Sequence, residues 1–401
     1  MFENIPLAPP DAIFGLNEAM KSDARPEKIN LGAGVYKDET GKTPILQVVK
    51  EAEKRLLEQE SSKSYLPIDG LPAYDEAVRA LVLGDDHPAI ADDRALTAQT
   101  PGGTGALRVL AETAASFEQP PRVWMSEPTW ANHGPVFAAG GLEKKGYPYY
   151  DAATHGLDFE AMTSALEQGV QAGDFVLLHG CCHNPTGVDP KPEQWRRLGE
   201  LLQGKSAVPI IDFAYQGFVA GVDEDAVPIR ELATKLDEMI VCSSFSKNLG
   251  LYAERVGAVT LIAGDAGQAK AVMSQLKRTI RTIYSNPPTH GGSVAATVLG
   301  DDELRLRWRE ELRAMRERIH AMRHLLASSL SGKGVQLSAE GNDFITEQNG
   351  MFSFSGLDRE QVLRLRDEHA VYMVDSGRLN VAGITRSNIE RLTDAIAAVV
   401  A

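Results

Sequence analysis

The residues best suited to covalent chemistry lie around Lys247, in Ser244-Phe-Ser-Lys-Asn-Leu-Gly-Leu-Tyr-Ala-Glu-Arg255. A lysine just past a buried strand loses hydration, which lowers its pKa and frees a neutral amine to attack an aldehyde. Ser244, Ser246 and Arg255 could together hold a phosphate with two hydroxyls and one positive charge. A second anion-binding element is Thr100-Pro-Gly-Gly-Thr-Gly-Ala-Leu-Arg108. Its glycines let backbone N–H groups approach an anion, and the helix start that follows favours negative charge. It lacks the lysine of a nucleotide P-loop and the spacing of a dinucleotide fingerprint, which disfavours a nucleotide but not a phosphate.

Asp212-Phe-Ala-Tyr215 sets a carboxylate at the end of an apolar run and a phenol three residues on. The carboxylate can hold a proton on a ring nitrogen and the phenol can reach a ring oxygen; in isolation Asp212 reads equally well as a cap. His183-Asn184-Pro-Thr-Gly187 is a turn whose amide side chain can point back across strand ends. Arg378, between glycines in a mainly apolar context, and Arg281 carry the side chain suited to bidentate carboxylate recognition. His179, Cys181, Cys182 and His183 invite a metal reading, yet successive strand residues face opposite ways and no second ligand pair accompanies them. No metal is expected.

These residues need elements to hold them. Residues 174–179, 207–211, 239–242 and 256–262 are short runs apolar on both parities. That pattern predicts strands covered on both faces, hence an α/β fold with a mostly parallel sheet between helix layers. In such sheets ligands sit at the carboxyl ends of the strands, where Asp212 and Lys247 fall. A helix follows the 183–187 turn, with Trp195, Leu198, Leu201 and Leu202 on one face. Leu304, Trp308, Leu312, Met315, Ile319, Met322 and Leu326 predict a long helix from about 302 to 330, capped by Asp301 or Asp302 and ended by Gly332. Residues 350–356 alternate like a strand, and 387–400 read as a closing amphipathic helix.

Composition narrows the partners. The 401 residues carry 41 Lys plus Arg against 55 Asp plus Glu, a net charge of −14. That excess disfavours nucleic acid and anionic membrane surfaces, but not a small anion in a locally basic pocket. No apolar run approaches the ~20 residues of a membrane span. The amino terminus does not read as a secretion signal, and the odd set of three cysteines reads as reduced thiols in a cytoplasm.

In order and spacing, these motifs resemble class I aminotransferases, in particular the aspartate and aromatic amino-acid subgroup. The resemblance runs through Gly32-Ala-Gly-Val-Tyr36, Tyr65, Gly102-Gly-Thr104, Pro128-Thr-Trp130, His183–Gly187, Asp212–Tyr215, Ser244–Arg255 and Ser376-Gly-Arg378, essentially the whole chain. It implies the fold of the type I pyridoxal-phosphate transferases: an N-terminal arm at 1–10, a small domain from 11–43 and 315–401, and a large cofactor domain at 44–314. It implies that Lys247 forms the Schiff base with pyridoxal 5'-phosphate and shuttles the proton, that Asp212 pairs with the pyridine nitrogen, and that His133 supports Asp212. Tyr215 and Asn184 would bond the ring oxygen and Trp130 would stack on the ring. Gly103, Thr104, Ser244, Ser246 and Arg255 would surround the phosphate, with Tyr65 reaching in from the other subunit of a homodimer. Arg378, Asn184, Trp130 and the backbone at Gly34 would bind the substrate. Arg281, from the partner, would meet a side-chain carboxylate. The implied reaction is ping-pong transamination of L-aspartate with 2-oxoglutarate; the alternative is aromatic or dual specificity. Val35, Lys37, Thr43, Thr104 and Asn286 look like the aspartate set, whereas Ala33, Ser64, Pro67, Leu249, Ala253, Thr282 and Ile283 depart from it.

Overall fold

The computed structural model describes residues 2–8 and 14–401. Its centre is a seven-stranded sheet in the order Ala95–Pro101, Val256–Ile262, Met239–Ser244, Val208–Phe213, Phe175–His179, Val123–Glu127, Lys144–Pro148. Neighbouring residues on one strand serve different cores. Phe175, Leu177, Ile210 and Ile240 join one apolar cluster, while Val176, Leu178, Ile211 and Val241 join another. Both faces are therefore covered, which is why these runs are apolar at every position.

Val256–Ile262 alone runs against its neighbours, antiparallel both to Met239–Ser244 and to Ala95–Pro101. The apolar pattern is the same for either direction, so only the connection decides. The link 245–255 contains no helix, and parallel strands need a crossover of a dozen or more residues, usually helical. The reversal gathers the chemistry at one edge. Val256 pairs with Pro101 and Gly257 with Ser244, so the Gly102 helix start, the Lys247 loop, Arg255 and the carboxyl end of Val208–Phe213 meet there.

The long helix spans Asp302–Gly332, with the Asp301 side chain accepting from Leu304 N at 2.9 Å. All seven apolar positions of its stripe are buried. In the helix Pro192–Lys205, Trp195, Leu198 and Leu202 are buried and Leu201 only half so. Phe352–Phe354 pairs antiparallel with Arg378–Asn380, and Ile29–Asn30 lies parallel to Val371–Tyr372, so the first segments pack on the last. The closing helix is Ile389–Val400. Of the expected arm, Phe2, Ile5 and Leu7 are exposed; its residues 1, 9 and 10, and the expected small-domain start at 11–13, lie outside the described residues. No helix among the described residues is long and apolar enough to cross a membrane.

Candidate active site

At the gathered edge lies a cavity of about 240 Å³ whose wall includes Gly34, Gly103, Thr104, Trp130, Asn184, Asp212, Tyr215, Ser244, Ser246, Lys247, Arg255 and Arg378. Residues from far-separated parts of the chain thus share one small volume.

The Asp212 carboxylate sits at the end of its strand, where His133 Nε2 lies 2.9 Å from Oδ2 and Thr129 Oγ1 lies 2.8 Å from His133 Nδ1. Burial raises the Asp212 pKa, but the His133 hydrogen bond, helped by the nearby Lys247, outweighs it, so the group is held below its ordinary value. A buried carboxylate kept ionised suits pairing with a cation. Lys247 is half-buried, and its Nζ stands 5.0 Å from the Tyr215 ring centroid. Loss of hydration lowers its pKa; Asp212 opposes this, while Arg255 and Arg378 reinforce it. Burial raises the Tyr215 phenol, with Arg378 opposing, so it stays protonated as a donor.

The helix Gly102–Ala115 begins without any side-chain cap, leaving its first N–H groups for an anion. Arg255 Nη1 bonds Ser246 Oγ at 3.1 Å, and Ser244 and Ser246 hydroxyls are 3.3 Å apart. Gly102 has φ +73, and a Cβ there would stand 2.5 Å from Arg255 Nη2. Glycine is required to bring this helix start beside the guanidinium.

Arg378 is 5% exposed. Its Nη1 donates to Asn184 Oδ1 at 3.2 Å and its Nη2 to Gly32 O at 3.0 Å, its Cζ lies 4.1 Å from the centroid of the Phe352 ring, and Nε has no partner among the described residues. Trp130 packs edge-on against His133 at 5.2 Å. Tyr65, 93% exposed, and Arg281, exposed and bonded to Ser285 Oγ, stand outside this cavity.

The cavity also recruits residues the sequence reading did not assign. Tyr252, whose hydroxyl accepts from Tyr36 N at 2.9 Å, falls inside the lysine loop and was the easier to find. Phe352 lies in an alternating strand, where an aromatic reads as core. His179 lines the cavity with Nε2 unpartnered and its pKa pushed down to about 3, mainly by burial. Donor atoms of His133, His179 and Asp212 lie within 4.8 Å of one another, but the His133–Asp212 separation is that of a hydrogen bond. The other members of the Cys–His cluster are engaged elsewhere: Cys181 Sγ faces Asp225 at 3.9 Å, whereas His183, its ring centroid 4.2 Å from that of His179, has both ring nitrogens held by Ser126 and Thr186.

A family model described as aminotransferase class I and II matches residues 26–396. The aspartate aminotransferase of Salmonella typhi is 55% identical over 399 residues, covering 100% of both chains. The aromatic-amino-acid aminotransferase of Pseudomonas aeruginosa is 46% identical, covering 100% of this chain and 99% of the relative. Among solved structures, an aromatic-amino-acid aminotransferase from Burkholderia pseudomallei, covalently bound to pyridoxal phosphate, matches with a TM-score of 0.96 at 48% identity, each chain covered in full. With a lysine amine, an ionised carboxylate, an anion cradle and a buried arginine around one cavity, the chain belongs to the class I and II aminotransferases, and as a class I enzyme it works with pyridoxal 5'-phosphate.

Proposed function

We propose that this aminotransferase moves the amino group between L-aspartate and 2-oxoglutarate, giving oxaloacetate and L-glutamate by a ping-pong mechanism. The observation that carries the reading is that Lys247, Asp212 and Arg378 line one cavity, with Asp212 and Arg378 both close enough to act on the charge of the lysine. The residues present fit the cofactor. The uncapped helix start at Gly103 and Thr104, with Ser244, Ser246 and Arg255, would take its phosphate, and Gly102 keeps clear the space a Cβ would fill. Asp212, held ionised and oriented by His133, would pair with its protonated ring nitrogen; Tyr215 and Asn184 would donate to its ring oxygen, and Trp130 would cover the ring. Bound there, the cofactor supplies an electron sink for the charge that develops at the amino acid's α-carbon.

The remaining work falls to side chains. Lys247 would hold the cofactor covalently, and its Nζ, whose pKa burial lowers, would take and return the α-proton. Arg378, with Asn184, Trp130 and the Gly34 backbone, would grip the α-carboxylate. The free Nε of Arg378, aimed at no protein acceptor, supports that assignment. Exposed Tyr65 and Arg281 support a homodimer in which each reaches the partner's cavity, Tyr65 toward phosphate and Arg281 toward a side-chain carboxylate. The pairing of the first and last segments supports a small domain at 11–43 and 315–401 hinged on a large domain at 44–314. A cytoplasmic location is part of the same reading.

A second reading, turnover of aromatic amino acids, is favoured by the ring-rich wall of Trp130, Tyr215, Tyr252 and Phe352. Borohydride should fix the chromophore of the purified protein on Lys247, and a kcat/KM panel with aspartate, tyrosine and phenylalanine orders the substrates. A colourless protein without the adduct refutes the function; negligible turnover of aspartate beside tyrosine refutes the substrate.

A further inference from the structure

Arg323 lies on the buried side of the helix Asp302–Gly332, outside the cavity, and is 1% exposed. Its guanidinium contacts no carboxylate among the described residues. It donates instead to backbone carbonyls of one irregular segment: Nη1 to Ile345 O at 2.9 Å, and Nη2 to Asn349 O at 3.1 Å, to Gly350 O at 2.9 Å and to Phe352 O. Burial pushes its pKa down to about 10, with Cys182 and Asp189 opposing, so it remains charged at neutral pH. Burying a charge is costly, and apolar replacements of buried charges are often no less stable. A reason for its presence is therefore to be sought in what it fixes.

The segment it fixes touches both sides of the carboxylate-binding arginine. At one end, Phe352 lies under Arg378 at 4.1 Å and meets Tyr215 edge-on at 6.2 Å, and its ring leaves so little room that a Cβ on Gly34 would stand 3.1 Å from it. In the middle, Asn349 N donates to Gly187 O at 2.6 Å and Asn349 Nδ2 to Asp189 Oδ2 at 3.0 Å. Asp189 in turn accepts from Cys182 N at 2.8 Å and His183 N at 2.9 Å, fixing the turn whose Asn184 receives Arg378 Nη1. Packing is close: a Cβ on Gly350 would meet Cys182 Cβ at 2.4 Å.

We propose that Arg323 is a positioning residue for the carboxylate-binding site, holding Phe352 and the Asn184 turn so that the Arg378 fork keeps one orientation. This rests on the proposed function, in which Arg378 binds the α-carboxylate. A fork that wobbles loses bidentate geometry in the substrate complex and in the transition state alike, so the effect falls on binding.

The test uses the cofactor-loaded protein and succinate, a diacid with no amino or oxo group to react. Arg323→Lys keeps the charge but cannot span the same carbonyls. It should raise the succinate Kd and the aspartate KM about tenfold, leave kcat within about threefold, and leave cofactor retention unchanged. Asn349→Ala, which releases the same segment from Asp189, should shift the same constants and carries the test alone should Arg323→Lys fail to fold. Val362→Ala, a buried position on the helix Arg359–His369, should lower Tm without moving KM. Unchanged Kd and KM in folded Arg323→Lys or Asn349→Ala overturn the proposal. So does a loss that Val362→Ala reproduces at equal destabilisation. If the unsubstituted protein binds no succinate, the proposed function itself has failed, and the positioning role falls with it.

Discussion

Removing Arg378 gives the sharpest quantitative expectation. In Arg378→Ala an incoming α-carboxylate would find the Phe352 ring and the Asn184 amide where the guanidinium had been, 5% exposed and partly unpartnered. Two unit charges about 4 Å apart attract by about 4 kcal/mol at an effective dielectric near 20. Desolvation of the carboxylate reduces the net gain, and truncating one partner of a buried charge pair costs about 2–5 kcal/mol. We therefore expect kcat/KM for aspartate to fall by about 3 kcal/mol, roughly 150-fold. Arg378→Lys keeps the charge but not the fork that now spans Asn184 Oδ1 and Gly32 O; it should lose about half as much, roughly tenfold. The assay is steady-state turnover of aspartate, set beside single-turnover reaction of a primary amine lacking the α-carboxylate. That amine should react equally with wild type and both variants. An Arg378→Ala enzyme within threefold of wild type on aspartate, or one equally impaired on the amine, would refute the reasoning.

Two further substitutions probe other parts of the molecule. Gly102→Ala puts a Cβ against Arg255 at a backbone angle that costs an L-residue about 1–2 kcal/mol, so cofactor Kd, followed by equilibrium dialysis, should rise about tenfold; an unchanged Kd removes Gly102 from the anion cradle. Asp75 is buried with Oδ1 unpartnered, and burial, helped by Asp69 and opposed by Arg79 and Lys277, pushes its pKa up to about 8. The folded state then keeps a proton that the unfolded state has released above about pH 4, so this group costs stability progressively as pH rises from about 4 through about 8. Asp75→Asn should raise Tm more at pH 8 than at pH 4.5, and an equal shift at both would rule out the ionisation as cause.

Much of the cavity was readable before the fold because its chemistry is carried by short local patterns. The lysine loop, the Gly102–Thr104 helix start and the Asp212–Tyr215 step each have a backbone logic contained within a few residues. Phe352 and Arg323 were not readable, for a common reason: each works through partners distant in the chain. Alternation predicts that Phe352 is covered but not that Arg378 covers it. In Arg323 a charged residue occupies the buried side of an amphipathic helix, where periodicity alone reads as an interruption. The half-buried Leu201 shows the same limit, since an apolar face has a width that the period does not set.

The sequence by itself determined which residue types could do the work and which classes of partner the −14 charge disfavoured. It also determined that the middle of the chain forms strands buried on both faces. Tertiary structure alone decided that Val256–Ile262 runs backwards, which brings Gly102, Asp212, Lys247 and Arg255 to one edge. It alone decided that Arg378 lies against Asn184 and Gly32, and that Tyr65 and Arg281 stand exposed outside the cavity of their own chain. The physical reason is that burial is readable from side-chain type along the chain, whereas strand direction and side-chain pairing depend on which distant backbones meet.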